Sequence, residues 1–485
     1  MKTFRIMVVF FLMHGLLMSY EFIGEYLSGH NAVGWSVAED DEDGYYVILT
    51  GECLDYGDYY CDSYNYGILR VGKYGEEIDY RVIFHYEYTR GKGKGRQKRN
   101  RGSRKLRGIW KDRSEDGGGK IWRLRDGRYA VVVDDIYYSD DFGYYGYPHV
   151  MLLDRDLNII WSKDIYADID ASTEPGGIKE TSDGDLIMYY TSYPYCTEGV
   201  TIKMRVEDGV EDWRINGSND IEEVGGGYIR CRMSHIGLID SNGDSIWEKV
   251  YETESGNDPY RTLVLASIER GIGGGYIAAG RYEMNPDTFI GYIVKVDDSG
   301  RVEWQREYFG WLHVNGIFRD GDGYVVGGTA WNGIHNYPVI YPFIYRIDTG
   351  GNIIWESYYY DTVSTIYPKG MRRVSDGGYI IVGEFWSRDS GREYQHVYLI
   401  KTDSIGLVDG VDRETDTPKV EMPERGIDYV VRSLYELRAL IFRDRLIKIY
   451  TVTGREIVSR DLSELNRGMY LYRSGTKRGR LLIIR

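Results

Sequence analysis

The chain has 485 residues, of which 42% are hydrophobic, 14% aromatic and 28% charged, a balance that supports a buried core and excludes a disordered or fibrous protein. With 61 glycines, 47 tyrosines and only 10 prolines, the composition favours strands and tight turns and rules out an all-helical fold. A formal charge of −15 argues against nucleic acid as the main partner, and four cysteines are too few for a disulfide scaffold.

Residues 1–19 read as an export signal: Lys2 and Arg5 precede the apolar run Ile6 to Met18, which is too short to span a bilayer, and Ser19 is the best small residue for cleavage. No other segment is apolar enough for a membrane-spanning helix. Next comes Tyr20 to Tyr26, a strand without a local partner.

From there a turn followed by a β-rich run recurs seven times, at Asp43-Gly44, Asp126-Gly127, Asp183-Gly184, Gly225-Gly226, Gly273-Gly274, Asp320-Gly321 and Asp376-Gly377. Gly and Asp tolerate the positive φ of a tight hairpin turn, and the following Tyr, Val and Ile suit a pleated strand. Behind each turn lies a second hairpin, seen most plainly as Asp240, Gly243 and Trp247, as Asp297, Gly300 and Trp304, and as Asp348, Gly351 and Trp355. Trp161 and Trp213 keep the same register with one position changed. Four strands per unit and seven units predict an all-β, seven-bladed β-propeller over residues 20–408. Trp161, Trp213, Trp247, Trp304 and Trp355 are expected as buried rings between blades. The seventh unit lacks its Trp strand, so Tyr20 to Leu27 is expected to pair with Val397 to Thr402 and close the ring.

In such a blade the Asp-Gly turns share one face, and the longer connections lie on the other. Those connections, Asp55–Tyr64, Asp135–Tyr147, Ser192–Tyr195, Tyr282–Asp287, Trp331–Tyr341 and Phe385–Tyr394, read as aromatic loops. Tyr59, Tyr60, Tyr138, Tyr144, Tyr145, Tyr195, Trp331 and Trp386 are the candidate ligand-binding residues, since flat rings with polar edges suit sugars or peptides. Cys53 and Cys61 are candidates for a local disulfide in blade one, while Cys196 and Cys231 are left unpaired. Between blades one and two, within an insertion at 90–118, Arg90 to Arg107 carries ten Lys or Arg and no acid, the composition of a solvated segment.

No catalytic motif stands out. His-Glu-x-x-His, Gly-x-Ser-x-Gly and Gly-x-x-x-x-Gly-Lys are absent, and the eight histidines show no ligand spacing. Asp240 to Asp244 imitates the start of a calcium loop, but Tyr251 stands where its closing Glu should be. Asp134, Asp135, Asp140 and Asp141 are acids of the kind that normally stay solvated. Catalytic residues, metal and cofactor are accordingly assigned as none, and a monomer is expected. The paired-carboxylate alternative, a polysaccharide hydrolase or lyase, leaves no local spacing to find.

Residues 409–424, with Pro418 and Pro423, read as a linker, and 425–485 as a small C-terminal domain, a β-sandwich. Asp428 to Arg485 has a net charge of +7; with +10 in the basic run, the rest of the chain carries −32. Ile447 to Ile457, then Leu465 to Tyr472, then Arg480 to Arg485 at the end of the chain resemble the C-terminal sorting domain of type IX secretion substrates. That resemblance implies an immunoglobulin-like sandwich read by an outer-membrane secretion machinery, and hence a secreted or surface-attached protein. The repeats resemble secreted bacterial propellers, and their Asp-x-x-Gly and Trp turn is similar to that of quinoprotein repeats. Quinoprotein dehydrogenases use eight blades and often adjacent cysteines, which this chain lacks. The combined expectation is an exported binding module for a glycan or protein ligand.

Overall fold

A computed structural model describes residues 22–27, 32–40, 44–56, 61–87, 118–139, 143–165, 172–193, 199–252, 263–285, 288–331, 340–359, 365–389 and 392–408, and in the C-terminal region 429–431, 447–451, 456–457, 468–474 and 477–483. The signal, the basic run and the linker lie outside these residues. Every element described is a strand, and among the described residues no helix is long and apolar enough to cross a membrane.

After the first strand, β1 (Phe22–Tyr26), blade one comprises β2 (Ala32–Asp40), β3 (Tyr45–Tyr56), β4 (Cys61–Gly72) and β5 (Glu77–Glu87). Blade two is β6 (Gly119–Arg123), β7 (Tyr129–Ser139), β8 (Gly143–Leu153) and β9 (Ile159–Asp164). Blade three is β10 (Ser172–Glu180), β11 (Leu186–Tyr193), β12 (Val200–Met204) and β13 (Glu211–Asn216). The short blade four is β14 (Asp220–Val224), β15 (Gly227–Arg232), β16 (His235–Asp240) and β17 (Ser245–Val250). Blade five is β18 (Leu263–Arg270), β19 (Tyr276–Asn285), β20 (Thr288–Val296) and β21 (Val302–Phe309). Blade six is β22 (Trp311–Asp320), β23 (Gly323–Trp331), β24 (Ile340–Asp348) and β25 (Ile353–Tyr358). Blade seven has only β26 (Thr365–Arg373), β27 (Tyr379–Asp389) and β28 (Arg392–Thr402) in sequence, and β1 completes it in the order β1-β28-β27-β26. The closing pair is antiparallel, from Phe22 opposite Lys401 to Tyr26 opposite Val397, as the missing seventh Trp strand required. These are the seven four-stranded sheets of a seven-bladed β-propeller.

The core lies between blades. Val131, Val133 and Met151 of blade two pack on Val47, Leu49 and Ile68 of blade one. At the closing seam Ile380, Val382 and Leu399 pack on Val37, Ile48 and Leu69. Each Asp-x-x-Gly turn is held by its Asp, which accepts from the backbone N–H groups two and four residues on; Asp240 does so from Asn242 and Asp244 at 2.8 and 2.9 Å. Asp297 and Asp348 repeat the arrangement, so the calcium-like loop is an ordinary turn.

The turn glycine serves the next-door Trp. Rings of Trp161, Trp213, Trp247, Trp304 and Trp355 lie over Gly209, Gly243, Gly300, Gly351 and Gly406 of the following blade, so closely that an added Cβ would sit 2.8–3.1 Å from the ring. All five glycines have positive φ. The rings therefore bridge blades, but they are half-buried on the outermost strands and not enclosed as expected: they cap the sandwich edge instead of filling its middle. Blade one has no such Trp, because Asp79 pairs with Arg70 at that position. Correspondingly, the next turn carries Leu157 in place of Gly, still at φ 63°, buried in the gap.

The described C-terminal residues form one five-stranded sheet, β29 (Tyr429–Val431), β30 (Ile447–Thr451), β31 (Glu456–Ile457), β32 (Gly468–Ser474) and β33 (Lys477–Ile483), in the order β29-β33-β32-β30-β31. β29 runs parallel to β33 and the other pairs are antiparallel.

Candidate functional site

The aromatic candidates are distributed differently from the sequence expectation. Tyr138 lies in β7, Tyr144 and Tyr145 in β8, Trp331 at the end of β23 and Trp386 in β27, so these are strand positions and not loop positions. Pairing simply continues outward: Tyr138 stands opposite Tyr144, Trp386 opposite Thr365, and Asp389 opposite Arg392. Alternating aromatic and polar residues keep a hairpin zipped once its register is set, which turns an apparent loop into a projecting ribbon. The side chains of these five residues, and all of Tyr59, Tyr60 and Tyr195, lie outside the described residues. Cys53 and Cys61 fall on β3 and β4, with Cys53 opposite Tyr64 and Cys61 opposite Tyr56; their side chains too lie outside the description. Cys231 is buried and free.

What the structure adds is the central channel. Each blade presents its first strand to the axis, and the charged side chains there come from positions about one blade apart in sequence. Lys179 of blade three donates to Asp220 Oδ1 and Ile221 O of blade four, both at 2.9 Å, and to Glu222. Asp220 also accepts from Tyr189 (2.7 Å), Ser267 Oγ (2.8 Å) and the Ile268 N–H (3.0 Å), so one buried carboxylate joins three blades. Ser267 Oγ in turn accepts from the Ile317 N–H of blade six at 3.2 Å. Burial opposes charge on Asp220, but Lys179 and these hydrogen bonds outweigh it and hold the carboxyl below its usual range. Burial likewise opposes charge on Lys179, and the two acids keep it protonated well above neutrality.

Two further carboxylates are less well served. Burial raises Glu222 despite Lys179, and burial together with the Glu222 charge pushes Glu269 up to about 7. Arg372 of blade seven, lowered by burial to about 10 despite Glu39 and Glu222, stacks 4.2 Å over the ring of Trp122 in blade two. Nearer the hairpin face Lys120 of blade two repeats the crossing, donating to Lys369 O of blade seven at 3.4 Å.

Toward this end of the channel lie Lys369, Arg281 and His313. Lys369 pairs with Glu384 at 3.2 Å and lies over the rings of Trp35 and Tyr367. Arg281 lies over Phe289 at 4.8 Å and donates to Leu312 O, which brings it beside His313. His313 is solvent-exposed on its own surface yet surrounded by the protein, as befits a residue facing a confined lumen; burial, with Arg281 and Lys369 adding to it, lowers its pKa to about 3. Asn315 donates to Pro368 O at 3.4 Å while its buried Oδ1 has no partner. Among the described residues no three His, Cys, Asp or Glu side chains are grouped to hold a metal.

No protein-family model and no curated protein matches the chain. Solved structures do match it by fold. One is a protein of unknown function from Bacteroides caccae, at 14% identity and a TM-score of 0.36, covering 54% of this chain and 88% of that one. Another is the quinohemoprotein alcohol dehydrogenase of Comamonas testosteroni, at 9% identity and a TM-score of 0.39, covering 90% and 83%. A third is an alpha-L-arabinanase from Penicillium chrysogenum complexed with arabinobiose, at 11% identity and a TM-score of 0.37, covering 80% and 98%. The chain is a seven-bladed β-propeller by its own seven four-stranded sheets.

Proposed function

We propose that the protein is an exported binding module that takes a glycan at the hairpin face of its propeller. The observation that carries this reading is the inequality of the two faces. One bears short turns of nearly constant design, whereas on the other the hairpins β3–β4, β7–β8 and β27–β28 run to 11 or 12 residues per strand around a charged, solvent-open channel mouth. Variable projections on a rigid ring are the usual place for recognition. Tyr138, Tyr144, Tyr145 and Trp386 belong to those projections and Trp331 ends β23 of the neighbouring blade six; together they supply the rings for stacking, with Tyr59, Tyr60 and Tyr195 in the neighbouring segments. Export rests on the N-terminal signal pattern and on the resemblance of the last 40 or so residues to a type IX sorting domain. Two experiments test the two halves. Glycan-array binding by wild type, lost on Trp331→Ala and Trp386→Ala with folding intact, supports the site. Secretion of a chain lacking 446–485 at normal yield overturns the sorting role.

A hydrolase is the second reading, and one observation favours it: Glu269 holds its proton to about 7 beside Glu222 inside the channel, the condition of a general acid. Release of shortened sugars from a bound glycan, abolished by Glu269→Gln, distinguishes it from a lectin.

A further inference from the structure

We propose that blade four carries, at its turn on the face opposite the long hairpins, a binding site for a small carboxylic acid with a ring-sized apolar body. This goes beyond the glycan-binding reading and does not depend on it. A cavity of about 140 Å³ lies there, lined by Val224, Leu238 and Ile246 of blade four, by the turn Gly225–Gly227, and by Tyr276 and Arg270 of blade five.

The other blades show why this place is hollow. In blades three, five, six and seven the third strand carries Lys203, Lys295, Arg346 and Lys401 at one register position. Each basic arm reaches back over its own blade's turn: Lys203 to Asp183, Lys295 to Gly274 O at 2.7 Å, Arg346 to Asp320 at 2.8 Å and Lys401 to Asp376 at 2.7 Å. Blade four has Leu238 at that position, opposite Ile229 as Arg346 is opposite Val325. Leu238 has neither the length nor the charge to cover the turn, so the space stays open.

Blade six is the sharpest comparison, since it has the same two-residue turn, Asp320 opposite Gly323 where blade four has Val224 opposite Gly227. There Asp320 also pairs with Arg373 of blade seven at 2.9 Å, and Arg123 of blade two pairs likewise with Asp40 of blade one at 3.2 Å. Blade five still supplies the arginine, for Arg270 stands opposite Tyr276 as Arg373 stands opposite Tyr379. The acid is what is missing: Val224 occupies the Asp320 position and Gly226 the Asp322 position. Arg270 is exposed, and its guanidinium makes no hydrogen bond or ion pair among the described residues. Asp298 accepts from the Gly275 N–H at 3.0 Å, and Glu223 from the Ser182 N–H at 2.6 Å, so both face other partners.

The ligand is defined by what the junction lacks. A carboxylate matches the guanidinium in charge and in planar shape, and takes the part that Asp320 plays for Arg373. The N–H groups of Gly225 and Gly226, also in the lining, have no hydrogen-bond partner among the described residues. For the rest of the ligand the walls are aliphatic and aromatic, and an apolar cavity of about 150 Å³ takes up a benzene-sized molecule. Ile246, 59% exposed at the rim, is covered when such a body enters.

The test is titration of the full chain, followed by saturation-transfer NMR, with phenylacetate, phenylacetamide and acetate. Phenylacetate is expected to bind, and the amide and acetate each about tenfold or more weakly. Arg270→Gln, a change at an exposed side chain that should leave the thermal midpoint in place, should bring the acid down to the affinity of the amide. Val224→Asp should abolish binding because the introduced carboxylate takes Arg270 as Asp320 takes Arg373, and Leu238→Lys should do so by covering the turn. Equal affinity for acid and amide, or an acid preference that survives Arg270→Gln, overturns the proposal. Acetate binding as tightly as phenylacetate overturns its apolar half. Tighter binding of the peptide Ala-Ala-Phe than of phenylacetate overturns the small-ligand assignment, and failure of phenylacetate to bind overturns the site itself.

Discussion

Glu269 and Asp220 show how differently two channel acids on the first strands of adjacent blades are treated. Asp220 has five donors and keeps its charge, whereas Glu269 has mainly its own neighbour's N–H at 2.8 Å and the repulsion of Glu222. A carboxyl whose folded pKa lies above its unfolded value costs stability as pH rises from the unfolded value near 4.5 towards 7, because the unfolded chain ionises first. Glu269→Gln should therefore stabilise the protein at pH 8 by about 1–3 kcal/mol and flatten the pH dependence of chemical denaturation between pH 5 and 7. His313 acts in the opposite sense. Its lowered pKa means that the unfolded chain takes up a proton first on acidification, so stability falls below about pH 6.5 and His313→Gln should soften that fall. Asp220→Asn should be severe, costing about 3–5 kcal/mol in urea denaturation, since it removes one of the two acids that hold buried Lys179 and loosens three blades; Ser267→Ala should cost about 1 kcal/mol.

At the scale of the strand, the repeating unit is as much a blade-to-blade clasp as a sheet. Tyr251, Tyr308 and Tyr359 each donate to the carbonyl of the same turn glycine that the Trp covers in the next blade, at 2.7–2.8 Å. Trp304→Ala should cost about 2–3 kcal/mol, less than a fully enclosed ring, with Tyr308→Phe near 1. The exception at blades one and two offers a sharper test. Asp79→Trp alone meets the Leu157 side chain and Leu157→Gly alone leaves a cavity, so each should destabilise, while the pair should recover at least about 1 kcal/mol relative to their sum in a double-mutant cycle. This clasp was legible in the sequence because its Asp, Gly and Trp sit within seven residues of each other. The channel was not, because Lys179, Glu222, Glu269, His313 and Arg372 come one per blade and share no local spacing. The hairpin ribbons were misjudged as loops for a related reason: whether Asp135 to Tyr147 keeps pairing is decided across strands, by a register that aromatic and glycine content does not reveal.

In the whole molecule the seam between blades seven and one is secured more than once. β1 pairs with β28, Tyr26 donates to Gly75 O at 2.8 Å as the other clasp tyrosines do, and Glu39 accepts from the Ser375 N–H at 2.7 Å. Inside the channel, Arg372 on Trp122 and Lys120 on Lys369 span blade one altogether. Removing residues 20–27 is expected to leave blades two to six folded while lowering the thermal midpoint and splitting the transition, with hydrogen exchange fastest in β2 and β26 through β28. The same pairing imposes an order of events during synthesis. Phe22 leaves the ribosome among the earliest residues of the propeller, yet its partner Lys401 is made 379 residues later, so β1 has to wait unpaired while six blades assemble. Closure is then a late, long-range step whose entropy cost grows only slowly with the intervening length, and until it happens both β1 and the outer edge of β28 are open to pairing with another chain. The last act of folding is thus also the moment of greatest hazard: two half-finished copies meeting there would exchange first strands and emerge as an intertwined dimer.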